Sequence, residues 1–421
     1  IINVEFISGA GVAVGDINND GLPDLFFTGN QVRDRLYLNK GSFQFEDISD
    51  NAGISTDNKW STGVTFVDID NDGDQDIYVC RSVYLEDEKS ANQLYINNGD
   101  LTFTDQAEHY GFADMGFSVQ AAFFDFDKDG LIDVYIVNQP PSIPNIGNRL
   151  NYSQFSDIKF SDRLYRNTGN GEFIDHTDEG KIRNFGFGLS ASLGDFNNDG
   201  YPDIYVSNYG PNTLYKNNGN GTFTNVTKRA KVGGGKECSV GAVWLDVDND
   251  GLLDRYVGNY LNYDPEYKYY YAPDGFPGPL AYDSQPDILY HNKGDGTFEN
   301  VTEKMGIIDL DGRAMGVGAA DYDDDGFVDI YVANDHTVNY LWHNNEGNGF
   351  TDRGTMSGTG FSQAGEATVS MSVDFAAYNQ DELLDIFISD DNYTVFSFFA
   401  VSKTSRVLRR SFSSIAAKAA D

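Results

Sequence analysis

The chain has 421 residues, with 65 Asp and Glu against 29 Lys and Arg and a formal net charge of −36. A surface of that sign repels nucleic-acid phosphate and anionic lipid headgroups, so both are poor partners. An apolar content of 40% with 14% aromatic residues excludes a disordered chain, and no apolar run of about 18 residues offers a membrane-spanning helix.

From the N-terminus, the first informative segment is DINNDGLPD, Asp16 to Asp24. Its register recurs as DIDNDGDQD at Asp68, DFDKDGLID at Asp125, DFNNDGYPD at Asp195, DVDNDGLLD at Asp246 and DYDDDGFVD at Asp321. Each copy puts side-chain oxygens at loop positions 1, 3, 5 and 9 and glycine at position 6. A hard cation needs this arrangement, because Ca²⁺ takes roughly six to eight oxygens at ~2.3–2.6 Å. The expected ligands of the first loop are Asp16, Asn18, Asp20 and Asp24, with the carbonyl of Leu22 at position 7. By register the others are Asp68, Asp70, Asp72, Asp74 and Asp76; Asp125, Asp127, Asp129, Leu131 and Asp133; and Asp195, Asn197, Asp199, Tyr201 and Asp203. The fifth and sixth sets are Asp246, Asp248, Asp250, Leu252 and Asp254, and Asp321, Asp323, Asp325, Phe327 and Asp329. An EF-hand opens the same way but closes with a glutamate at position 12 and needs flanking helices. Here GVAV and DLFF flank the first loop and VTFV and DIYVC the second, short β-branched and aromatic runs that suit buried strands. Acidic Asn/Asp/Gly turns are also ordinary hairpin connections. Six copies in register, each with three to five carboxylates that repel one another at short range, favour about six bound Ca²⁺.

The loops start at 16, 68, 125, 195, 246 and 321. A second signature follows each: RLYLN at Arg35, QLYIN at Gln93, RLYRN at Arg163, TLYKN at Thr213, ILYHN at Ile288 and YLWHN at Tyr340. A third strand-like segment, such as GTFTN or GTFEN, comes just after. Each unit thus supplies four antiparallel strands, the content of a propeller blade. The fold class expected is an all-β, seven-bladed β-propeller over residues 1–396, with blades near 8–50, 58–107, 114–178, 185–229, 236–303, 311–353 and 366–396. The seventh loop has decayed, with Ala377 at position 1 and Glu382 in place of glycine, while Asn379, Asp381 and Asp385 remain. The opening INVEFIS is a candidate outer strand for the last blade, and Ile1 is not expected to be the true start of the gene product. Residues 397–421, carrying Lys403, Arg406, Arg409, Arg410 and Lys418, read as a basic tail of no assigned role.

Two insertions interrupt the repeat, Gln139 to Ser161 and Tyr260 to Gln285. The second is rich in rings that can stack on sugars or peptides, so Tyr260, Tyr263, Tyr267, Tyr269, Tyr270, Tyr271, Phe276 and Tyr282 form the expected ligand surface. Packing of the loop against the propeller rim is the competing reading. Cys80 and Cys238 fall in different units and are expected to be separate buried thiols.

The segment GVAVGDINNDGLPDLFFTGN followed by RLYLNKG resembles the FG-GAP/VCBS repeats, calcium-loop propellers that include the integrin α-subunit head. It is most similar to bacterial and animal proteins related to cartilage acidic protein, in which such repeats precede an ASPIC/UnbV domain. The Asn-, Phe- and Tyr-rich style resembles surface proteins of Bacteroidota. The resemblance implies a calcium-stabilised module at the cell surface or outside the cell, outward-facing on a bacterial outer membrane, binding a glycan or protein partner without enzymatic activity. The alternatives are a calcium-dependent polysaccharide lyase, with Arg313, Arg255 and Tyr267 to Tyr271 the first candidates for its base, or a structural spacer. No G-x-S-x-G, P-loop or H-E-x-x-H motif is present. His291 and His343 sit at the variable position of the LY-x-N strands and are read as no site, and His109, His176 and His336 are isolated in sequence.

Overall fold

The computed structural model describes residues 11–29, 32–41, 44–57, 60–82, 91–140, 158–263, 278–362, 364–376, 383–390, 397–401 and 408–411. Their strands form seven four-stranded sheets, each ordered as in the chain, and the molecule is an all-β propeller. The first strands are Val12–Gly15, Ser61–Val67, Ser118–Phe124, Gly188–Gly194, Ser239–Leu245, Ala314–Ala320 and Ser370–Ala376. From the first sheet to the seventh, each contacts the first strand of the sheet that follows it in the chain. They converge closely enough that a Cβ on Gly63 would stand 2.4 Å from the Val119 carbonyl oxygen, so no larger residue fits there.

The second strands each begin on the position-9 aspartate: Asp24–Phe27, Asp76–Arg81, Asp133–Asn138, Asp203–Asn208, Asp254–Asn259, Asp329–Asn334 and Asp385–Asp390. Those of the second to sixth sheets are buried along their whole length, which is why DIYVC and DVYIVN are nearly continuous apolar runs. The LY-x-N segments form the third strands, Arg35–Asn39, Gln93–Asn97, Arg163–Asn167, Thr213–Asn217, Ile288–Asn292 and Tyr340–Asn344, and all pairings are antiparallel. Neighbouring sheets meet face to face through apolar clusters. Ile77, Val79 and Tyr95 of the second sheet pack on Phe26 and Leu36 of the first, and Phe387 of the seventh packs on Leu25 and Tyr37 of the first.

In the second, fourth, fifth and sixth sheets the asparagine that ends the third strand clasps two sheets together. Asn97 Nδ2 donates to Ile17 O at 2.9 Å and to Gln75 O at 3.2 Å. The same side chain in later sheets reaches back to Phe126 O from Asn217 (2.9 Å), Phe196 O from Asn292 (2.7 Å) and Val247 O from Asn344 (2.9 Å). Each acceptor is position 2 of the acidic loop in the preceding sheet.

The segment read as a tail is partly structural: Ser397–Val401 and Leu408–Ser411 are the third and fourth strands of the seventh sheet. Charged residues in the last strand disguise it, and the LY-x-N signature that marks the other third strands is missing. INVEFIS and positions 377–382 of the decayed loop lie outside the described residues, whereas Asp385 is buried. Cys80 and Cys238 are both buried and free.

Asn292→Ala would strand two carbonyls and the Gly294 N–H that Asn292 Oδ1 accepts at 3.0 Å. It is expected to lower unfolding stability by about 2–4 kcal/mol in denaturant titrations, against less than about 0.5 kcal/mol for Asn218→Ala. The Asn218 side chain bonds only exposed threonines. Equal effects of the two substitutions would refute the clasp.

Candidate metal centres on the loop rim

All six acidic loops connect a first strand to a second, which places them on one rim of the propeller. Their local geometry repeats. The position-1 carboxylate accepts the N–H groups of positions 5 and 6, as Asp16 does from Asp20 at 3.1 Å and Gly21 at 2.7 Å. The position-5 carboxylate accepts from position 7, as Asp20 does from Leu22 at 2.8 Å. Position 4 is left-handed in every copy, with φ of 57° at Asn19, 61° at Lys128 and 57° at Asp324, and asparagine tolerates that conformation best of the non-glycine residues. Asn19, Asn198 and Asn249 also donate from Nδ2 to the position-6 carbonyls of the next loop, Gly73, Gly251 and Gly326, at 3.3, 2.8 and 3.0 Å.

The position-9 aspartate is the buried member. Asp24 accepts from Ile17 N at 3.0 Å and from Asn39 N at 2.7 Å, so it joins loop, second strand and third strand. The same pair of bonds recurs at Asp76, Asp133, Asp203, Asp254 and Asp329. Burial pushes these carboxyls up, to about 6 at Asp24 and Asp254, about 7 at Asp76, Asp133 and Asp203 and about 8 at Asp329, against the pull of their backbone N–H donors. A buried anion of this kind calls for a positive partner.

The donor set fits a divalent cation. Carboxylate oxygens of Asp68, Asp70 and Asp76 lie within 4.8 Å of one another, as do those of Asp125, Asp127 and Asp133 and those of Asp246, Asp248 and Asp250. Asp127 Oδ1 and Asp323 Oδ1, both at position 3, are buried with no hydrogen-bond partner. The first and fourth loops offer Asp16, Asn18, Asp20 and Asp24 and Asp195, Asn197, Asp199 and Asp203 in the same hydrogen-bonding pattern. Asp72, Asp129 and Asp325 repeat the position-5 contact to Asp74, Leu131 and Phe327, as Asp250 does to Leu252.

One residue type escaped the reading of the sequence. The residue before the clasping asparagine faces the acidic loop. It is Leu38 and Ile96 in the first two sheets, both buried. In the third it is Arg166, whose guanidinium meets Asp127 at 2.6 Å and Asp129 at 2.8 Å, and in the fourth Lys216, 3.2 Å from Asp199. In the fifth, His291 Nδ1 stands 3.1 Å from Asp254, and in the sixth His343 Nδ1 stands 3.1 Å from Asp329 and 3.6 Å from Asp323. His291 and His343, read from the sequence as no site, are carried by strand pairing to within 3.1 Å of the buried carboxylates Asp254 and Asp329. The signal was the shared register of Leu, Ile, Arg, Lys, His and His against an acidic loop.

The expected ligand surface is also corrected in part. Tyr260 is buried and donates its hydroxyl to Asp335 Oδ2 at 2.6 Å. Tyr282 is buried too, with its ring 5.2 Å from that of Tyr263, beside Cys238, Leu261 and Met315. The ends of the insertion are drawn together by a Leu261–Ser284 bridge, which folds these rings inward. Tyr267, Tyr269, Tyr270, Tyr271 and Phe276 lie outside the described residues. Both arginines considered for a lyase base serve packing. Arg255 is fully buried, with its guanidinium 3.8 Å from the Tyr205 ring centroid and 4.3 Å from that of Trp244. Arg313 holds the insertion through Tyr282 O at 2.9 Å and Pro279 O at 3.2 Å.

The FG-GAP-like repeat pattern matches residues 10–79, 83–136, 156–206, 195–257, 274–332 and 321–388. The chain is 25% identical to cartilage acidic protein 1 of Xenopus tropicalis over 361 residues, 79% of this chain and 48% of that protein. Against the Homo sapiens protein of the same name it is 22% identical over 374 residues, 83% of this chain and 49% of that protein. The chain thus spans about half the length of the curated relatives it matches. Among solved structures, a crystal structure of BBS1N in complex with ARL6DN, soaked with mercury, superposes with a TM-score of 0.50 at 11% identity. That likeness covers 90% of this chain and 88% of the other, and it shows the fold.

The raised position-9 carboxyls bind protons more tightly folded than unfolded, so without a cation their contribution is fully present below about pH 4 and is lost as pH rises through 6 to 8. In chelator, the urea midpoint is expected to rise as pH is lowered from about 8 to 5. If the loops hold calcium, the order is expected to reverse at saturating calcium, because protons compete with the cation. A chelator midpoint that falls over that range would contradict the burial of these groups.

Proposed function

This chain belongs to the FG-GAP-like repeat family, and from that premise we propose that it is a calcium-stabilised binding module working outside the cell or at its surface, with a protein or glycan partner. The observation that carries the calcium reading is the rim of six loops. Each buries a carboxylate at position 9 and gathers further carboxylates or an asparagine oxygen around it. Oxygen-only shells with backbone support suit Ca²⁺, whose weak sites of ~10⁻⁴–10⁻³ M fill in extracellular fluid but not in the cytosol. The matched relatives bear the name cartilage acidic protein, which agrees with a setting outside the cell.

The proposed binding face is the end of the sheets opposite the loops. Both insertions leave the far ends of second strands, and Arg313 pins one of them to the scaffold. Large apolar side chains stay exposed there, including Leu280, Ile308 and Leu310. Exposed apolar groups on a scaffold this acidic mark a contact surface better than they mark a spacer.

Calcium bound only to the folded state adds ~2.7 kcal/mol per site at a hundredfold excess over Kd. Calorimetry with and without chelator is therefore expected to show a drop in Tm of at least about 10 °C on calcium removal. An unchanged Tm would overturn the reading. Asp125→Ala should cost more calcium-dependent stability than Asn379→Ala, because the seventh loop lacks an acid at its first position.

A further inference from the structure

The six loops differ in what the third strand presents to them; the fifth and sixth receive an imidazole, and the buried one is that of the sixth. Its facing residue, His343, is 6% exposed, and its Nδ1 has no hydrogen-bond partner although it points among carboxylates. Asp323 Oδ1 in the same loop is likewise buried and unpartnered. Nδ1 lies 3.1 Å from Asp329 Oδ1 and 3.6 Å from Asp323 Oδ2, and donor atoms of the three residues fall within 4.8 Å of one another. Donors held at ~2.0–2.2 Å from one ion stand roughly 3.0–3.6 Å apart, so the two nitrogen–oxygen separations are those of a coordination shell.

We propose that the sixth loop is a mixed nitrogen–oxygen site for a divalent transition metal of the zinc class, bound by His343 Nδ1, Asp323 and Asp329. The inference rests on the reading of the loops as cation sites and changes the cation at one of them. Calcium takes oxygen and gains nothing from an imidazole, whereas zinc and its neighbours bind imidazole nitrogen well. In the first two loops Leu38 and Ile96 stand where His343 stands, so those loops keep oxygen donors alone. In the third, Arg166 meets the carboxylates with a fixed positive charge that cannot act as a ligand. In the sixth loop Asp329 Oδ1 accepts from Asn344 N at 2.7 Å, and Arg353 Nη1 reaches Asp323 Oδ2 only at 3.3 Å, longer than the Arg166 contacts of the third loop, and leaves Asp323 Oδ1 without a partner. In the fifth sheet His291 occupies the equivalent place with a more exposed ring, and it is not part of the proposal.

The test uses the full chain, stripped with chelator and dialysed into millimolar calcium, in a His291→Leu background so that the fifth loop supplies no imidazole. Cobalt(II) and zinc(II) are the probes. One equivalent of cobalt is expected to survive desalting in calcium, with a visible d–d band, and zinc should displace it. His343→Leu should abolish the band and weaken zinc binding by at least about 100-fold while calcium-dependent melting persists. Cobalt fully displaced by calcium, or an unchanged band in the His343 variant, overturns the proposal. If that variant fails to fold, zinc-edge X-ray absorption of the His291→Leu protein decides instead: imidazole scattering supports the site and an oxygen-only shell refutes it. Calcium binding without zinc binding would sink this inference alone. Failure of both metals to bind would remove the calcium reading with it.

Discussion

The fold turns on one buried carboxylate per sheet. A position-9 aspartate such as Asp203, with no exposed surface, takes Phe196 N on one side and Asn217 N on the other. That ties the start of the second strand to its own loop and to the third strand. An unpaired buried anion is costly, and backbone donors offset only part of the cost. The remainder is what a bound cation would offset under the proposed reading of the loops. The same buried carboxylate thus ties the strands together and, in the proposed function, would hold the cation, six times around one rim.

The clasping asparagines extend this local arrangement into the ring. Asn217 holds the carbonyl of Pro202 in its own sheet at 3.2 Å and that of Phe126 in the preceding sheet at 2.9 Å. A disturbance in one loop is therefore felt by its neighbour through a hydrogen bond, besides the apolar clusters between sheets. Position-4 asparagines add a second link along the outer edge of the rim. Side-chain hydrogen bonds thus join the acidic loops of the first and second sheets and those of the third to sixth.

Along that rim, loops of one register are made more different chemically by one strand residue. Aliphatic, cationic and imidazole side chains at the same register set how much positive charge or nitrogen each loop already holds. The opposite end of the molecule is organised by other means. There the Tyr260 hydroxyl meets Asp335 and Arg313 grips the chain at Pro279 and Tyr282, so the insertion is rooted in the sheets by buried polar contacts.

The sequence alone determined the strands, the acidic turns and their register, because these depend on residues within one hairpin. A short β-branched and aromatic run and a glycine at position 6 need no distant partner to be read. Tertiary structure decided what crosses sheets. Asn344 bonds Val247 across 97 positions, and His343 reaches Asp323 through pairing of the third strand with the second. Tyr260 and Tyr282 read as display residues because their density on a Pro/Gly-rich insertion is a local property, whereas their burial depends on Cys238, Met315 and Asp335 arriving from other parts of the chain. The outer strands of the last sheet were hidden for the same reason. Leu408–Ser411 carries no signature of its own and is a strand because Ser397–Val401 offers it an edge to pair with.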